Sequence, residues 1–147
     1  MNVLFTDSGP TLTASDILSL EMELGAILPA EYRAFLLRTN GGRPKPNAID
    51  VPEAPWRATP VRVFFGVRPN HPANSLVANR DLYRSRLHDG LIPIATDSFG
   101  NPVCIETRPA TRGRIVLIDR QGSKLVEYPL ARSLTEFLRK LRPPDEV

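Results

Sequence analysis

Residues that build metal and redox centres are scarce in this sequence. Cys104 is its only cysteine, and the chain has two histidines. An internal disulfide is therefore excluded, and no Cys or His stands at metal-ligand spacing. Cys104 falls in an apolar stretch, where we interpret it as a small buried hydrophobic residue. The sequence thus predicts no metal and no cofactor.

Long apolar runs and targeting signals are also missing. No apolar run approaches the ~20 residues that a membrane-spanning helix needs, and the first residues, MNVLFTDSGP, carry neither a basic leader nor an apolar signal core. The composition, 41% hydrophobic and 24% charged, is typical of a soluble globular protein. We therefore expect a cytoplasmic location, no membrane contact and one domain over 1–147.

Signatures of enzymes are absent as well. The sequence has no G-x-x-x-x-G-K phosphate loop and no G-x-S-x-G elbow. Asp97 and Asp119 end two apolar runs, and two carboxylates within reach of one substrate are able to share acid and base roles. We prefer a structural interpretation, because aspartate at the end of a strand commonly accepts hydrogen bonds from the following turn. No catalytic residue is assigned, and the chain is predicted not to be an enzyme.

Apolar spacing and capping residues predict four helices. Thr13 is placed to cap the first helix, and Gly25 to end it. The second helix runs from Pro29 to about Thr39, and the third spans 75–88. The last begins at Ser133, where the sequence SLTE fits a capping box in which serine and glutamate satisfy each other's amides.

Apolar and β-branched runs predict a strand at 61–67 and a meander of strands over 91–128, with one turn at Gln121-Gly122. The segment 115–118 is apolar at every position, which predicts a strand covered on both faces. Five prolines lie in 43–60, so this segment is predicted to be an internal loop without regular structure. The predicted fold class is α+β, with a mainly antiparallel central sheet flanked by about four helices.

Four motifs occur together in an order that resembles the SUKH superfamily, the Smi/Knr-type proteins. They are the helix LPAEYRAFLLRTNGG, the turn PIATDSFGN, a hydrophobic strand that ends in Asp119, and a closing helix. The resemblance implies an α+β domain that recognises a protein instead of turning over a substrate. Bacterial members look like immunity proteins that neutralise toxins, often nucleases, and fungal relatives are cell-wall regulators.

The resemblance implies a cytoplasmic immunity protein that binds and neutralises a cognate toxin of a polymorphic or contact-dependent system. A regulatory scaffold in cell-wall or stress signalling is an alternative. A nucleic-acid-binding domain is a weaker alternative, because the arginines are spread along the chain. The net charge is +3 and the pI about 9.4. Inhibitors of basic nucleases are expected to be acidic, so the toxin is expected to be acidic or near neutral, not a nuclease, or bound at an allosteric surface.

Loops supply the predicted partner-binding residues, because loops carry recognition on rigid scaffolds. Arg108 and Arg112 lie in a basic loop that either binds a partner or is a solvated connection that protects a sheet edge. Phe99 stands on a turn, where it either folds back on the core or anchors in a partner's pocket. Trp56, with Arg57 beside it, is either a lid on the core or an exposed contact residue.

Overall fold

The computed structural model describes residues 3–121 and 123–144. The helices in these residues are α1 (Ala14–Leu24), α2 (Ala30–Arg38), α3 (Leu76–Tyr83) and α4 (Leu134–Lys140). The strands are β1 (Leu4–Thr6), β2 (Arg43–Lys45), β3 (Ala48–Asp50), β4 (Ala58–Phe64), β5 (Leu91–Asp97), β6 (Pro102–Glu106), β7 (Ile115–Gln121) and β8 (Lys124–Ala131).

The strands form two antiparallel sheets. β1 pairs with β2, and the remaining six strands form one sheet in the order β3-β4-β5-β6-β7-β8, so each strand lies beside its neighbour in sequence. This confirms the predicted α+β class with an antiparallel meander and four helices. The predicted turn at Gln121-Gly122 includes Gly122, which lies outside the described residues.

Aromatic rings join the helices to the sheet in the main core. Phe64 of β4 lies 5.4 Å from the ring of Phe35 on α2, 6.1 Å from that of Phe137 on α4 and 5.4 Å from that of Phe5 on β1. Edge-to-face and tilted contacts at these distances stabilise a core beyond the burial of area alone. The rings therefore fix α2 and α4 on one face of the sheet.

The opposite face of the sheet carries a smaller cluster. All four residues of 115–118 are buried, which confirms a strand covered on both faces. Val116 and Ile118 pack there with Leu91 and Cys104, and Leu87 lies against them. The chain that follows α3 therefore covers the face that α2 and α4 leave open.

Capping residues define both ends of α1. Thr13 Oγ1 accepts a hydrogen bond from Asp16 N at 3.2 Å, and the Asp16 carboxylate accepts one from Thr13 N at 2.8 Å. The hydrogen bond from the Thr13 amide is the main cause that lowers the pKa of Asp16. Gly25 ends the helix with a φ of 67°. Both predicted ends are thus confirmed.

The last helix forms half of its predicted capping box. Ser133 Oγ accepts from Glu136 N at 3.1 Å. The Glu136 carboxylate, however, accepts from Arg132 N at 3.4 Å and pairs with Lys140 Nζ at 3.1 Å. The Glu136 carboxylate therefore binds the backbone amide of Arg132 and the side chain of Lys140, so the reciprocal bond from Ser133 N does not form.

The Asn-Gly-Gly exit of α2 is a junction of several segments. Asn40 Nδ2 donates to Pro10 O at 2.9 Å and to Val67 O at 2.8 Å, and its Oδ1 accepts from Val67 N at 2.8 Å. Gly41 and Gly42 have φ values of 69° and 118°. A Cβ on Gly41 would lie 2.7 Å from two carbonyl oxygens at the end of β4. Only glycine fits there.

The prediction that 43–60 contains no regular structure is wrong. β2 and β3 lie within this segment, and β4 begins at Ala58 rather than at 61. Pro44 stands opposite Phe5 in the two-stranded sheet, and Pro60 stands opposite Ala48 of the edge strand β3. Pro60 itself lies on β4, just before the pairing of β4 with β5 begins at Val61. Proline is tolerated at an outer strand or at the end of a ladder, because its missing N–H then removes no bond from a central ladder.

The third helix begins as predicted and ends early. Ser75 caps it, since its Oγ accepts from Ala78 N at 3.2 Å. The helix ends at Tyr83 rather than 88, and Gly90 adopts a φ of 91° in the turn before β5. Leu87 keeps helical spacing from Tyr83, so the apolar pattern alone does not distinguish a helix that ends at Tyr83 from one that continues to 88.

Candidate functional site: an arginine-lined cleft

The connection between β6 and β7 is held by backbone hydrogen bonds. Glu106 N donates to Arg114 O at 2.9 Å, and Gly113 N donates to Glu106 O at 2.8 Å. Thr107 donates to Gly90 O through both its N–H, at 2.8 Å, and its hydroxyl, at 2.6 Å. The loop is therefore fixed both across its base and to the turn before β5.

Arg108 and Arg112, two of the sequence-predicted contact residues, both lie on this loop. The Glu106 side chain is buried, and its Oε1 accepts from Arg108 Nε at 2.6 Å. Arg112 Nη1 donates to Thr107 O at 2.8 Å. No further partner occupies their other guanidinium N–H groups within residues 3–121 and 123–144. Each arginine is thus oriented by the protein while part of its donor capacity faces solvent.

The loop forms one wall of a cleft of about 580 Å³. The ends of α1 and α3 and the segment before β5 form the rest of it. Arg80 joins two of these walls, since its Nη1 and Nη2 donate to Leu24 O at 2.9 Å and to Glu23 O at 3.0 Å. A cation at the carboxyl end of a helix satisfies free carbonyls and complements the dipole.

The cleft has a positive edge and an apolar edge. The Arg84 guanidinium makes no hydrogen bond or ion pair with any residue that the structure describes, and Asp89 is the one acidic side chain among the described lining residues. Ile27, which follows the end of α1, is 67% exposed. Arginine binds carboxylate or phosphate through paired N–H groups. The cleft is therefore suited to an anionic group that carries apolar surface beside it.

A histidine and a second glutamate lie beside buried Glu106. His88 Nε2 is 3.6 Å from Glu106 Oε2 and 3.5 Å from Glu127 Oε1, and Arg114 Nη2 is 2.7 Å from Glu127 Oε2. Glu106 Oε2 has no hydrogen-bond partner in the described part of the chain. No group of three or more His, Cys, Asp or Glu among the described residues is arranged to hold a metal ion.

Cys104 lies within β6 and is fully buried. Burial is the main cause that raises the pKa of its thiol well above the usual range, and the nearby carboxylates of Glu127 and Glu106 raise it further. A thiol with a raised pKa is a poor nucleophile, because the thiolate is the reactive form. This confirms the interpretation of Cys104 as a buried hydrophobic residue.

The two aspartates have different environments. Asp97 is buried, and its Oδ1 accepts from Phe99 N at 2.9 Å and from Asn101 N at 2.8 Å. Its Oδ2 accepts from Thr59 Oγ1 at 2.8 Å. Asp97 thus closes the β5–β6 turn and ties it to β4, as the structural interpretation predicts.

Asp119 does not stand at the end of its strand. β7 continues to Gln121, whose Nε2 donates to Asp119 Oδ2 at 3.2 Å. The sequence placed the strand end at Asp119 because the apolar run ends one residue earlier. Asp119 is partly exposed and bonds a side chain rather than turn amides.

Phe99 lies at the opposite end of β6 from Arg108. It is 76% exposed on the β5–β6 turn, so the alternative in which it folds back on the core is wrong. It borders a small depression of about 200 Å³, together with Tyr83 and Leu125. Tyr83 Oη donates to Gly100 O at 3.1 Å and holds the turn to the end of α3. Phe99 and the arginine loop therefore form separate surfaces.

Trp56 and Arg57 lie in the loop between β3 and β4. The Trp56 ring packs edge-on against Tyr128 of β8, at 5.9 Å between centroids, yet remains 40% exposed. Arg57 is exposed, and its φ is 62°. Trp56 thus combines the two predicted alternatives, since one edge covers the core and the other meets solvent.

The structure brings two of the five predicted contact residues into one site, Arg108 and Arg112. Arg84 and Ile27 complete that site, and sequence reasoning did not select them. Arg84 falls within the predicted third helix without a distinguishing local pattern, and Ile27 lies between two helices without periodicity. Their shared location depends on contacts between α1 and α3, which no local pattern displays.

The fold defines an α+β domain built on an antiparallel meander, with arginines displayed at one end of the central strands. A model of the SMI1 / KNR4 family (SUKH-1) matches residues 11–140, and the chain belongs to this family. The predicted resemblance to the SUKH superfamily is thereby confirmed. None of the helices among the described residues has the length and apolar character to cross a membrane.

A prophage protein of Bacillus subtilis (strain 168) is similar to this chain. It is described as the SPbeta prophage-derived uncharacterized protein YokK, and the two are 26% identical over 147 residues. The match covers 88% of this chain and 74% of the prophage protein.

Proposed function

We propose that this chain is an immunity protein that binds a cognate toxin of a bacterial polymorphic or contact-dependent toxin system and neutralises it by protein–protein contact. Membership of the SMI1 / KNR4 family supports a protein partner. A standard interface of about 800 Å² on each partner is large enough to include the cleft and its surroundings.

The observation that carries this proposal is the arginine-lined cleft. Its loop is fixed by hydrogen bonds, and Arg84, Arg108 and Arg112 keep guanidinium N–H groups that no described residue occupies. Arg108 and Arg112 are already oriented by the fold, so they lose little conformational entropy on binding. A surface of this kind favours recognition of a partner.

Co-expression with the toxin encoded beside the gene tests the proposal. We expect the wild-type chain to restore growth of cells that express the toxin, and the two proteins to co-purify. A catalytically inactive toxin variant that still co-purifies serves as a control, because binding is then measured without cell death. If no neighbouring toxin is neutralised and none co-purifies, the proposal is wrong, and a regulatory scaffold with another protein partner is favoured.

A further inference from the structure

We propose that the cleft binds an acidic segment of the toxin, with carboxylates on Arg84, Arg108 and Arg112 and an apolar side chain against Ile27. This inference rests on the proposed function, since it specifies the chemistry of the toxin surface. It concerns the partner's charge and the location of the interface, neither of which follows from neutralisation itself.

Charge complementarity supports an acidic occupant. Among the described residues that line the cleft, four are arginines and one is acidic. The Arg80 guanidinium is already bound by the carbonyls of α1 and by Asp81 at 2.8 Å. The other three arginines have donors to offer. The chain as a whole carries a net charge of +3, so its field accelerates encounter with an acidic surface.

Arg108 is prepared for such a ligand in a specific way. Its Nε is engaged by the buried carboxylate of Glu106 at 2.6 Å, which leaves the two terminal nitrogens to bind outward. The guanidinium plane is therefore set before the partner arrives, and the entropy cost of ordering a long side chain is already met within the fold. Arg112 is restrained in the same manner by Thr107 O.

The apolar edge favours a protein segment over nucleic acid. Ile27 is 67% exposed and Leu87 also lines the cleft. Proteins that bind single strands generally stack bases on aromatic side chains, and no Phe, Tyr or Trp is present among the described residues that line this cleft. An acidic segment that includes a leucine or isoleucine matches both edges.

Fluorescence anisotropy with defined probes tests the surface. The first probe is a labelled peptide of about twelve residues that alternates Glu-Asp pairs with leucines, and the second replaces the leucines by serine; each is titrated at about 50 mM and about 300 mM NaCl. The third probe is a single-stranded oligonucleotide of equal charge. We expect the leucine peptide to bind most tightly and its affinity to fall at the higher salt concentration.

Matched variants locate the binding. R84E/R112E reverses two charges in the cleft, and R38E/R139E reverses two exposed arginines elsewhere whose side chains make no hydrogen bond or ion pair within the described residues. We expect the first variant to weaken leucine-peptide binding by about 10-fold or more, and the second by less than about 2-fold. Ile27→Ser should weaken the leucine peptide alone. Circular dichroism establishes that each variant is folded.

Three results would overturn the inference: no peptide binding at the lower salt concentration, equal losses in both double variants, or tighter binding of the oligonucleotide. Co-expression of R84E/R112E with the toxin separates this inference from the proposed function. If that variant protects cells as well as the wild type does, the surface is wrong while neutralisation stands. If the wild type itself gives no protection, the proposed function fails.

Discussion

Replacement of Asp97 by alanine tests whether this residue is part of the frame of the fold. The buried carboxylate accepts hydrogen bonds from the amides of Phe99 and Asn101 and from the hydroxyl of Thr59, at 2.9, 2.8 and 2.8 Å. Alanine removes both acceptor oxygens and with them these three bonds and the longer one from Asn101 Nδ2 at 3.3 Å. It leaves two backbone N–H groups of a tight turn without their partner.

The expected cost follows from those two amides. An unsatisfied donor costs about 1–3 kcal/mol, so the loss of a partner for both amides should lower the free energy of unfolding of Asp97→Ala by about 3 kcal/mol. This value lies in the lower part of the range for two donors, because water reaches part of the turn and the Thr59 hydroxyl finds another acceptor. In a chain of this size such a loss lowers the melting temperature by about 9 °C. Asp97→Asn keeps one carbonyl oxygen for the amides and should cost about half as much.

Urea denaturation followed by circular dichroism measures both variants, and Asp119→Ala is the matched control. Asp119 is partly exposed and accepts one hydrogen bond, at 3.2 Å from Gln121, so its replacement should change the free energy of unfolding by less than about 0.5 kcal/mol. If Asp97→Ala is as stable as the wild type, or Asp119→Ala is equally damaging, the structural role given to Asp97 is wrong.

Two further predictions concern the packing around Gly41 and around Cys104. Gly41→Ala should destabilise the fold more than Gly100→Ala, measured by thermal unfolding, because both have positive φ but only Gly41 would place a Cβ 2.7 Å from carbonyl oxygens; equal losses would contradict this. Cys104 should react with a thiol reagent only after denaturation. Rapid labelling of the native protein at neutral pH would refute the buried assignment. Folding raises the pKa of this thiol. The stability that the buried, protonated thiol contributes is therefore complete below the unfolded pKa of about 8.5 and should be lost as the pH rises above that value.

Local patterns were sufficient to predict the elements that local interactions define. α1 was predicted with both caps, because Thr13 and Gly25 satisfy its ends by bonds within the same segment. The meander was also predicted, since each of its strands pairs with the next in sequence. The paired strands at 43–45 and 48–50 could not be predicted in this way. Three-residue strands rich in proline depend on partners elsewhere in the chain, such as Phe5 opposite Pro44.

The cleft could not be predicted from the sequence for a related reason. Its walls come from the end of α1, the end of α3 and the β6–β7 loop, and the hydrogen bond from Arg80 to Leu24 O joins residues that are 56 positions apart. The sequence did indicate that Arg108 and Arg112 were accessible, because a basic loop between two apolar strands is expected to face solvent. It did not indicate that Ile27 and Arg84 lie near them, since neither position deviates from its local pattern.

The motif residues and the cleft residues have different physical roles. Asn40, Gly41 and Asp97 are buried or tightly enclosed, and each fixes a backbone junction. Arg84 and Ile27 are exposed, so their replacement removes little packing and should cost little stability. The charge and shape of the cleft are therefore free to change while the frame is retained. Under the proposed function, a basic cleft on this frame suits an acidic toxin surface, and an acidic one would suit a basic toxin through the same electrostatic steering.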